Sequence, residues 1–102
     1  MDRARLQEMA TRLKLAYGAQ KVLLFGSAAW GTPNADSDVD LLVISPTTES
    51  YFQRMATVRR TLRDLRRGLP VCPIVFTPEE IQSRIAIGDQ FISDIMTHGV
   101  EL

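Results

Sequence analysis

The sequence is poor in the residues that build disulfides, metal clusters and membrane anchors. Its 102 residues include one cysteine, one histidine and one tryptophan. A single cysteine excludes an internal disulfide, and the single histidine, His98, does not make a credible metal ligand by itself. No segment has the length or the flanks of a signal peptide or a membrane helix, so we expect a cytoplasmic protein with no membrane partner.

The chain also has no formal net charge. Twelve basic and twelve acidic residues give a formal charge of zero, which argues against a general attraction to nucleic acid or to a membrane surface. Otherwise the composition, with 45% hydrophobic and 24% charged residues, is that of an ordinary globular domain. The length and the absence of repeats or linkers predict a single domain over residues 1–102.

The strongest chemical signal lies between residues 24 and 44. A short apolar segment ends at Gly26 and Ser27, and a run of turn-forming residues leads to a second apolar segment. Gly26 can adopt backbone angles that are closed to other residues and lets a phosphate approach closely. Ser27 offers a hydroxyl and an N–H group at a predicted helix N-terminus. The pattern therefore predicts a turn that binds anions.

Two carboxylates open the second apolar segment, although strands disfavour aspartate. With the two-residue repeat of a strand, Asp38 and Asp40 project from one face, about 6.6 Å apart along the strand. Their oxygens can converge on a divalent cation. Beside a phosphate-binding turn, they indicate metal-assisted phosphoryl chemistry. The alternative is an ordinary connection between two strands, in which Ser27 caps a helix and Asp36 and Asp38 are turn acids.

These residues resemble a known family. Gly26-Ser27, ten intervening residues that include Gly31, and Asp38-Val39-Asp40 are similar to the signature of the polymerase beta nucleotidyltransferase superfamily, in particular its minimal nucleotidyltransferase branch. The resemblance covers nearly the whole chain. It implies an α/β (α+β) fold of the polymerase-beta-like type, with a small mixed sheet and helices packed on one side.

The resemblance also implies an activity. Members of the family move a nucleoside monophosphate, here AMP from ATP, to an acceptor hydroxyl and release pyrophosphate, with one or two Mg²⁺ ions. Small members are commonly paired with a helical HEPN-type protein in toxin–antitoxin modules, so we expect such a partner or a homodimer. The residues implied for the site are Asp38 and Asp40 for catalysis and metal binding, and Gly26, Ser27, Gly31 and Ser37 for the nucleotide.

Two positions depart from the family pattern. The third carboxylate usually lies on a later strand, where this chain has Cys72, and many relatives carry an arginine where this chain has Trp30. The resemblance implies that the missing acid is a metal ligand and the base, so two aspartates remain to hold metal. The competing hypothesis is a degenerate NTP-binding module that acts by contact, as an antitoxin or scaffold.

Apolar spacing predicts the elements around this site. We expect a first helix that ends at Gly18, strands at 22–25 and Val39–Ile44, a long helix at 49–67 and a third strand at Val71–Phe76. Pro73 places the third strand at an edge or at a bulge, since proline cannot donate to the ladder. Thr77 is the predicted cap of one last helix that runs through Ile81, Ile85, Ile92 and Ile95 and is closed by Gly99.

The long helix carries six of the twelve basic residues. Its predicted buried stripe consists of Phe52, Met55, Val58 or Arg59, Leu62 and Leu65. Its arginines form either a solvated basic face or a docking surface for an acidic partner or RNA, although no aromatic residues are interleaved with them. These arginines are Arg54, Arg59, Arg60, Arg63, Arg66 and Arg67.

Overall fold

Four helices and four strands make up the part of the chain that the computed structural model describes, which is residues 3–26, 29 and 38–102. None of these helices is both long and apolar enough to cross a bilayer. In chain order the elements are α1 (Arg3–Ala16), β1 (Lys21–Phe25), β2 (Val39–Ile44), α2 (Tyr51–Thr61), β3 (Val71–Phe76), α3 (Pro78–Ala86), α4 (Gln90–His98) and β4 (Val100–Glu101).

The strands form one mixed sheet in the order β3-β2-β1-β4. Strand β1 is antiparallel to both β2 and β4, whereas β2 and β3 are parallel. The register pairs Phe25 with Asp40 and Asp40 with Cys72. Because β2 and β3 run in the same direction, helix α2 carries the chain back to the end of the sheet where Asp40 lies.

The predicted α/β fold with a mixed sheet is confirmed, but the helices cover both faces of the sheet and not one. Helices α1 and α2 pack on one face, around Leu24, Leu41 and Val43. Helices α3 and α4 pack on the other, where Ile81, Ile92 and Ile95 meet alternate residues of β1 and β2. The cause lies in the two central strands, which are apolar at almost every position and therefore need cover on both sides.

Helix α2 is shorter than the predicted helix at 49–67 and is rotated relative to its predicted buried stripe. It begins after the capping residue Ser50 and ends at Thr61, where Leu62 is the C-terminal cap. Val58 and Leu62 are buried as expected. Phe52, however, is 78% exposed, and Arg54 takes the inward position. Apolar spacing misplaces this face because Arg54 finds polar partners inside the fold.

The predicted last helix is two helices. The predicted cap at its start is confirmed, since Thr77 accepts from the N–H of Glu80. The structure adds the reverse bond, in which Glu80 accepts from the N–H of Thr77. Helix α3 nevertheless ends at Ala86, and Gly88 has a φ of 82° that no helix can continue through. Asp89 caps α4, and Gly99 ends it as predicted. The break lets both short helices lie on the second face of the sheet.

Strand β3 is an edge strand, as Pro73 predicts. Val39 N–H donates to the Pro70 carbonyl, and Ser45 N–H donates to the Phe76 carbonyl. The backbone N–H and C=O groups of the even-numbered residues of β3 therefore face β2. The backbone nitrogen of Pro73, which has no hydrogen to donate, therefore faces away from β2. Further along, the outward carbonyl of Val75 accepts from Arg54 Nη1 at 3.3 Å. Both features discourage another strand from pairing with this edge.

Candidate functional site

Gly26 ends β1 in a sharp turn. Its φ is 75°, and its carbonyl accepts from the N–H of Ala29 at 3.0 Å. A Cβ atom at this position would collide with the Asp40 carboxylate and would lie 3.2 Å from its Cγ. Glycine is thus required twice, once for the positive φ and once for space. The turn predicted at Gly26 is confirmed, and it brings the backbone directly against the Asp40 side chain.

Asp40 is the second residue of β2, and Asp38 immediately precedes that strand. Asp40 is half-buried and Asp38 is exposed. Burial, and then the negative charge of Asp38, raise the pKa of the Asp40 carboxyl. The salt bridges within the described residues join Arg12 to Asp64, Arg54 to Glu80 and Arg84 to Asp89, so neither site carboxylate takes part in one of them.

The chemistry of this pair fits a divalent cation. Two carboxylates that repel each other, one of them partly withdrawn from water, are stabilised when a cation lies between them. Mg²⁺ is commonly bound through one or two carboxylates together with substrate phosphates. Asp38 and Asp40 are therefore suited to hold one such ion next to the Gly26 turn.

Cys72 lies beside Asp40 in the register of β2 and β3. It is half-buried and not fully buried as a small apolar residue of the core would be. Burial, and then the charges of Asp38 and Asp40, raise the pKa of the thiol, while Arg59 acts in the opposite direction. No group of three or more His, Cys, Asp or Glu side chains within the described ranges is arranged to hold a metal ion. The third acid has no substitute at this position.

Four of the residues discussed for the site, Ser27, Trp30, Gly31 and Ser37, lie outside the described residues. Their assignment stays a prediction. What the structure brings together is the Gly26 turn, the Asp40 carboxylate and the Cys72 thiol, with Asp38 at the start of the same strand.

An aromatic pair begins at the strand position next to Asp40, and sequence reasoning missed it. Phe25 is the cross-strand partner of Asp40, and its ring lies 5.7 Å from that of Phe91 at an angle of 83°. Phe91 belongs to α4, far from Asp40 in the sequence, and 56% of its surface is exposed. In the sequence it adjoins Ile92 and resembles any other apolar residue of the last helix, so no sequence signal distinguishes it.

The basic face of α2 is smaller than predicted. Arg54 is 9% exposed and forms a two-pronged pair with Glu80, at 2.7 and 3.3 Å. Its Nε also donates to the Glu49 carbonyl at 3.0 Å, so it is a structural residue. The remaining arginines lie at the C-terminal end of α2 and just beyond it, at the same end of the sheet as Asp40. Of these, Arg59, Arg60, Arg63 and Arg67 are exposed and Arg66 is half-buried.

A cavity of about 530 Å³ lies at the opposite end of the sheet. It follows the carboxyl ends of β2 and β3, away from Asp40, and opens widely to solvent. Its walls supply hydroxyl groups and one carboxylate but no cation, so it does not resemble a phosphate site. The residues that line it are Pro46, Thr47, Thr48, Thr77 and Glu79.

Comparison with known proteins gives one finding that agrees with this geometry. A family model described as a nucleotidyltransferase domain matches residues 6–102, which include every element except the first turn of α1. No curated protein matches the chain.

Proposed function

The chain belongs to the nucleotidyltransferase domain family, and we propose that it transfers AMP from MgATP to an acceptor hydroxyl. The observation that carries the proposal is the contact between the Gly26 turn and the Asp40 carboxylate. It puts a backbone that a phosphate can approach directly beside a carboxylate suited to a cation. Ser27, Gly31 and Ser37 complete the proposed nucleotide site.

In this proposal Asp38 and Asp40 would hold Mg²⁺, which would supply positive charge to offset that of the triphosphate. The acceptor oxygen forms a bond to the α-phosphorus, and the bond from that phosphorus to the β-phosphate oxygen breaks. Pyrophosphate leaves with the electron pair of the broken bond. The hydroxyl proton goes to a base that the described residues do not identify, because the thiol of Cys72 has a raised pKa and holds its own proton.

The proposed acceptor is a side-chain hydroxyl on a second protein, of the HEPN type found with minimal nucleotidyltransferases. Two features support a protein partner. Exposed arginines border the Asp40 end of the sheet, and their positive charge is complementary to an acidic protein surface. A formal charge of zero argues against a nucleic-acid acceptor, which requires many phosphate contacts.

Cys72 is the specific observation in favour of a second candidate function. A domain that has lost its third acid can still bind an NTP through the turn and two carboxylates, and can act on its partner by contact alone. Such a degenerate module, an antitoxin or a scaffold, predicts nucleotide binding without transfer.

Calorimetric titration with MgATP tests the site, and a labelled-transfer assay separates the two functions. The double variant Asp38→Asn, Asp40→Asn should bind MgATP at least about tenfold more weakly, a difference of about 1.4 kcal/mol. Asp94→Asn, which removes an exposed acid on α4, is the matched control and should bind normally. Equal affinity in the double variant and the parent would show that the metal site lies elsewhere.

The transfer assay uses ATP labelled at the α- or γ-phosphate with the partner present. Transfer of the α label alone identifies nucleotidyl transfer. If the chain binds MgATP but neither label reaches the partner, the contact function is correct.

A further inference from the structure

The side chains of Phe25, Asp40 and Cys72 lie on one face of the sheet. Directly opposed residues of neighbouring strands point to the same side, with Cβ atoms about 5 Å apart in antiparallel pairs. Phe25 and Asp40 are such a pair, and Asp40 is next to Cys72 in the parallel register. This is the face that α3 and α4 cover over the rest of the sheet.

At the Asp40 end of this face, helix α4 contacts Phe25, the cross-strand neighbour of Asp40. In α4, Ile92 and Ile95 are buried against the sheet, whereas Phe91 reaches toward Phe25 at the margin of that helix. The two rings meet nearly at right angles, which is a favourable arrangement for aromatic pairs and fixes the orientation of both. Phe25 is 8% exposed and Phe91 is 56% exposed, so the inner ring is fixed in the core and the outer ring remains available.

The position of Phe91 matters more than its exposure. Phe25 is the cross-strand neighbour of Asp40, and the ring of Phe91 lies next to the ring of Phe25. In a nucleotide the base is separated from the α-phosphate by the ribose, a group of about the size of one ring. A nucleotide whose phosphates lie at Asp38, Asp40 and the Gly26 turn can therefore place its base over Phe91.

We propose that Phe91, held by Phe25, is the stacking platform for the nucleobase of the bound NTP. The proposal rests on the proposed function, because it requires the triphosphate to lie at the two carboxylates. Stacking on an aromatic ring tolerates every base, so Phe91 supplies affinity for nucleotides in general and not a choice among them.

The test compares MgATP with magnesium tripolyphosphate, which has the phosphates but no base, by calorimetric titration of the full chain. Phe91→Ala should bind MgATP roughly 5- to 100-fold more weakly, as expected for the loss of one stacked base. Its affinity for magnesium tripolyphosphate should not change. Phe91→Trp should bind MgATP at least as tightly as the parent, and Phe91→Leu should be intermediate.

Phe52→Ala is the matched control. Phe52 is also a highly exposed phenylalanine in contact with another aromatic ring, since its ring lies 6.1 Å from that of Tyr51. It belongs to the other end of the sheet, because Tyr51 in turn approaches Phe76 at the end of β3. Phe52→Ala should bind both ligands normally.

The results separate this proposal from the function on which it rests. If the parent binds neither ligand, the nucleotide site itself is wrong. If the parent binds both and Phe91→Ala binds MgATP as tightly as the parent, only the platform is wrong. Equal losses for both ligands in Phe91→Ala would also overturn it, because they would show an effect on the phosphates or on folding.

A fluorescence measurement covers the case in which Phe91→Ala fails to fold. The tryptophan of Phe91→Trp should be quenched by MgATP but not by magnesium tripolyphosphate, after subtraction of the signal of the parent. An identical response to both ligands would contradict stacking at this position.

Discussion

Cys72 and Asp40 are neighbours across the parallel pair of β2 and β3. At this place the resemblance to the polymerase beta superfamily implies a third carboxylate. Here burial, and then the charges of Asp38 and Asp40, raise the pKa of the thiol, which therefore stays protonated at neutral pH and adds no charge to the site. The acid nearest to Cys72 in the register is Asp40. Burial, and then the charge of Asp38, raise the pKa of the Asp40 carboxyl as well.

Cys72→Asp should restore or increase transfer. It returns a carboxylate to the position beside Asp40, where it can act as a metal ligand and as the base for the acceptor hydroxyl. General-base assistance typically contributes about 10² to 10⁴-fold in rate, so a true repair is easy to measure with radiolabelled ATP and the partner.

Cys72→Asn is the matched control, because it has nearly the same shape without the charge. It should gain nothing. If Cys72→Asp is folded by circular dichroism and shows no more transfer than Cys72→Asn, the base is another group or the site is not built for transfer.

Gly26→Ala should weaken MgATP binding strongly, because the new Cβ atom displaces the Asp40 carboxylate. It should also destabilise the chain through the positive φ of 75°. Gly68→Ala separates the two effects, since Gly68 has a φ of 67° and nothing lies within 4 Å of its Cβ position.

Calorimetry and thermal melting of both glycine variants provide the measurement. Both should be less stable than the parent, by about 1 kcal/mol for the backbone conformation alone. Only Gly26→Ala should lose affinity for MgATP. Normal MgATP binding by Gly26→Ala would show that the turn and the carboxylate do not act together.

Glu80→Gln should make the chain less stable at neutral pH and less sensitive to acid. Arg54 and the Thr77 N–H lower the pKa of Glu80 below its ordinary value of 4.5. A lowered pKa in the folded state means that the stabilisation is present above the unfolded value and is lost as pH falls through the folded value. We expect a loss of about 1 kcal/mol at pH 7, since solvent partly screens this pair.

Urea unfolding between pH 7 and pH 3 checks this prediction. The difference between Glu80→Gln and the parent should shrink below about pH 4.5, as the parent's carboxyl becomes protonated. Asp64→Asn, which removes the partner of Arg12 in a more exposed pair, should have a smaller effect. A constant difference across this pH range would show that the ionised pair is not its source.

Reversing Arg59, Arg63 and Arg66 to Glu should weaken association with the partner if the C-terminal end of α2 is the docking face. The crossover from β2 to β3 brings these arginines to the end of the sheet that holds Asp40, and Arg59 already acts on the thiol of Cys72. Charge reversal repels an acidic partner, whereas the triple Gln variant only removes the attraction and should have an intermediate effect.

Light scattering of the chain alone and with the protein encoded by the neighbouring gene gives the readout. We expect a homodimer or a heterocomplex. The prediction is contradicted if the chain stays monomeric at high concentration, does not bind the protein encoded by the neighbouring gene, and still transfers AMP to a free small-molecule acceptor.

Local chemistry is what the sequence alone determined. The bounds of β2 and β3 match the apolar segments residue for residue, because a short apolar run between turn-forming residues has few other ways to be buried. The cap at Thr77 and the edge position of β3 follow in the same way, the first from the chemistry of the hydroxyl group and the second from the missing N–H of Pro73. The turn at Gly26 likewise follows from its own residue type.

The tertiary structure decided whatever depends on a distant partner. The sequence indicates that Arg54 is a surface cation. In the structure it is buried, because Glu80, 26 positions later, supplies a carboxylate that pairs with it. Phe91 has no visible role until α4 brings it to Phe25 beside Asp40. The break at Gly88 lets α3 and α4 both pack on the second face of the sheet. Sequence periodicity reports which side of an element is apolar, whereas the identity of the group that meets it depends on contacts between residues far apart in the chain.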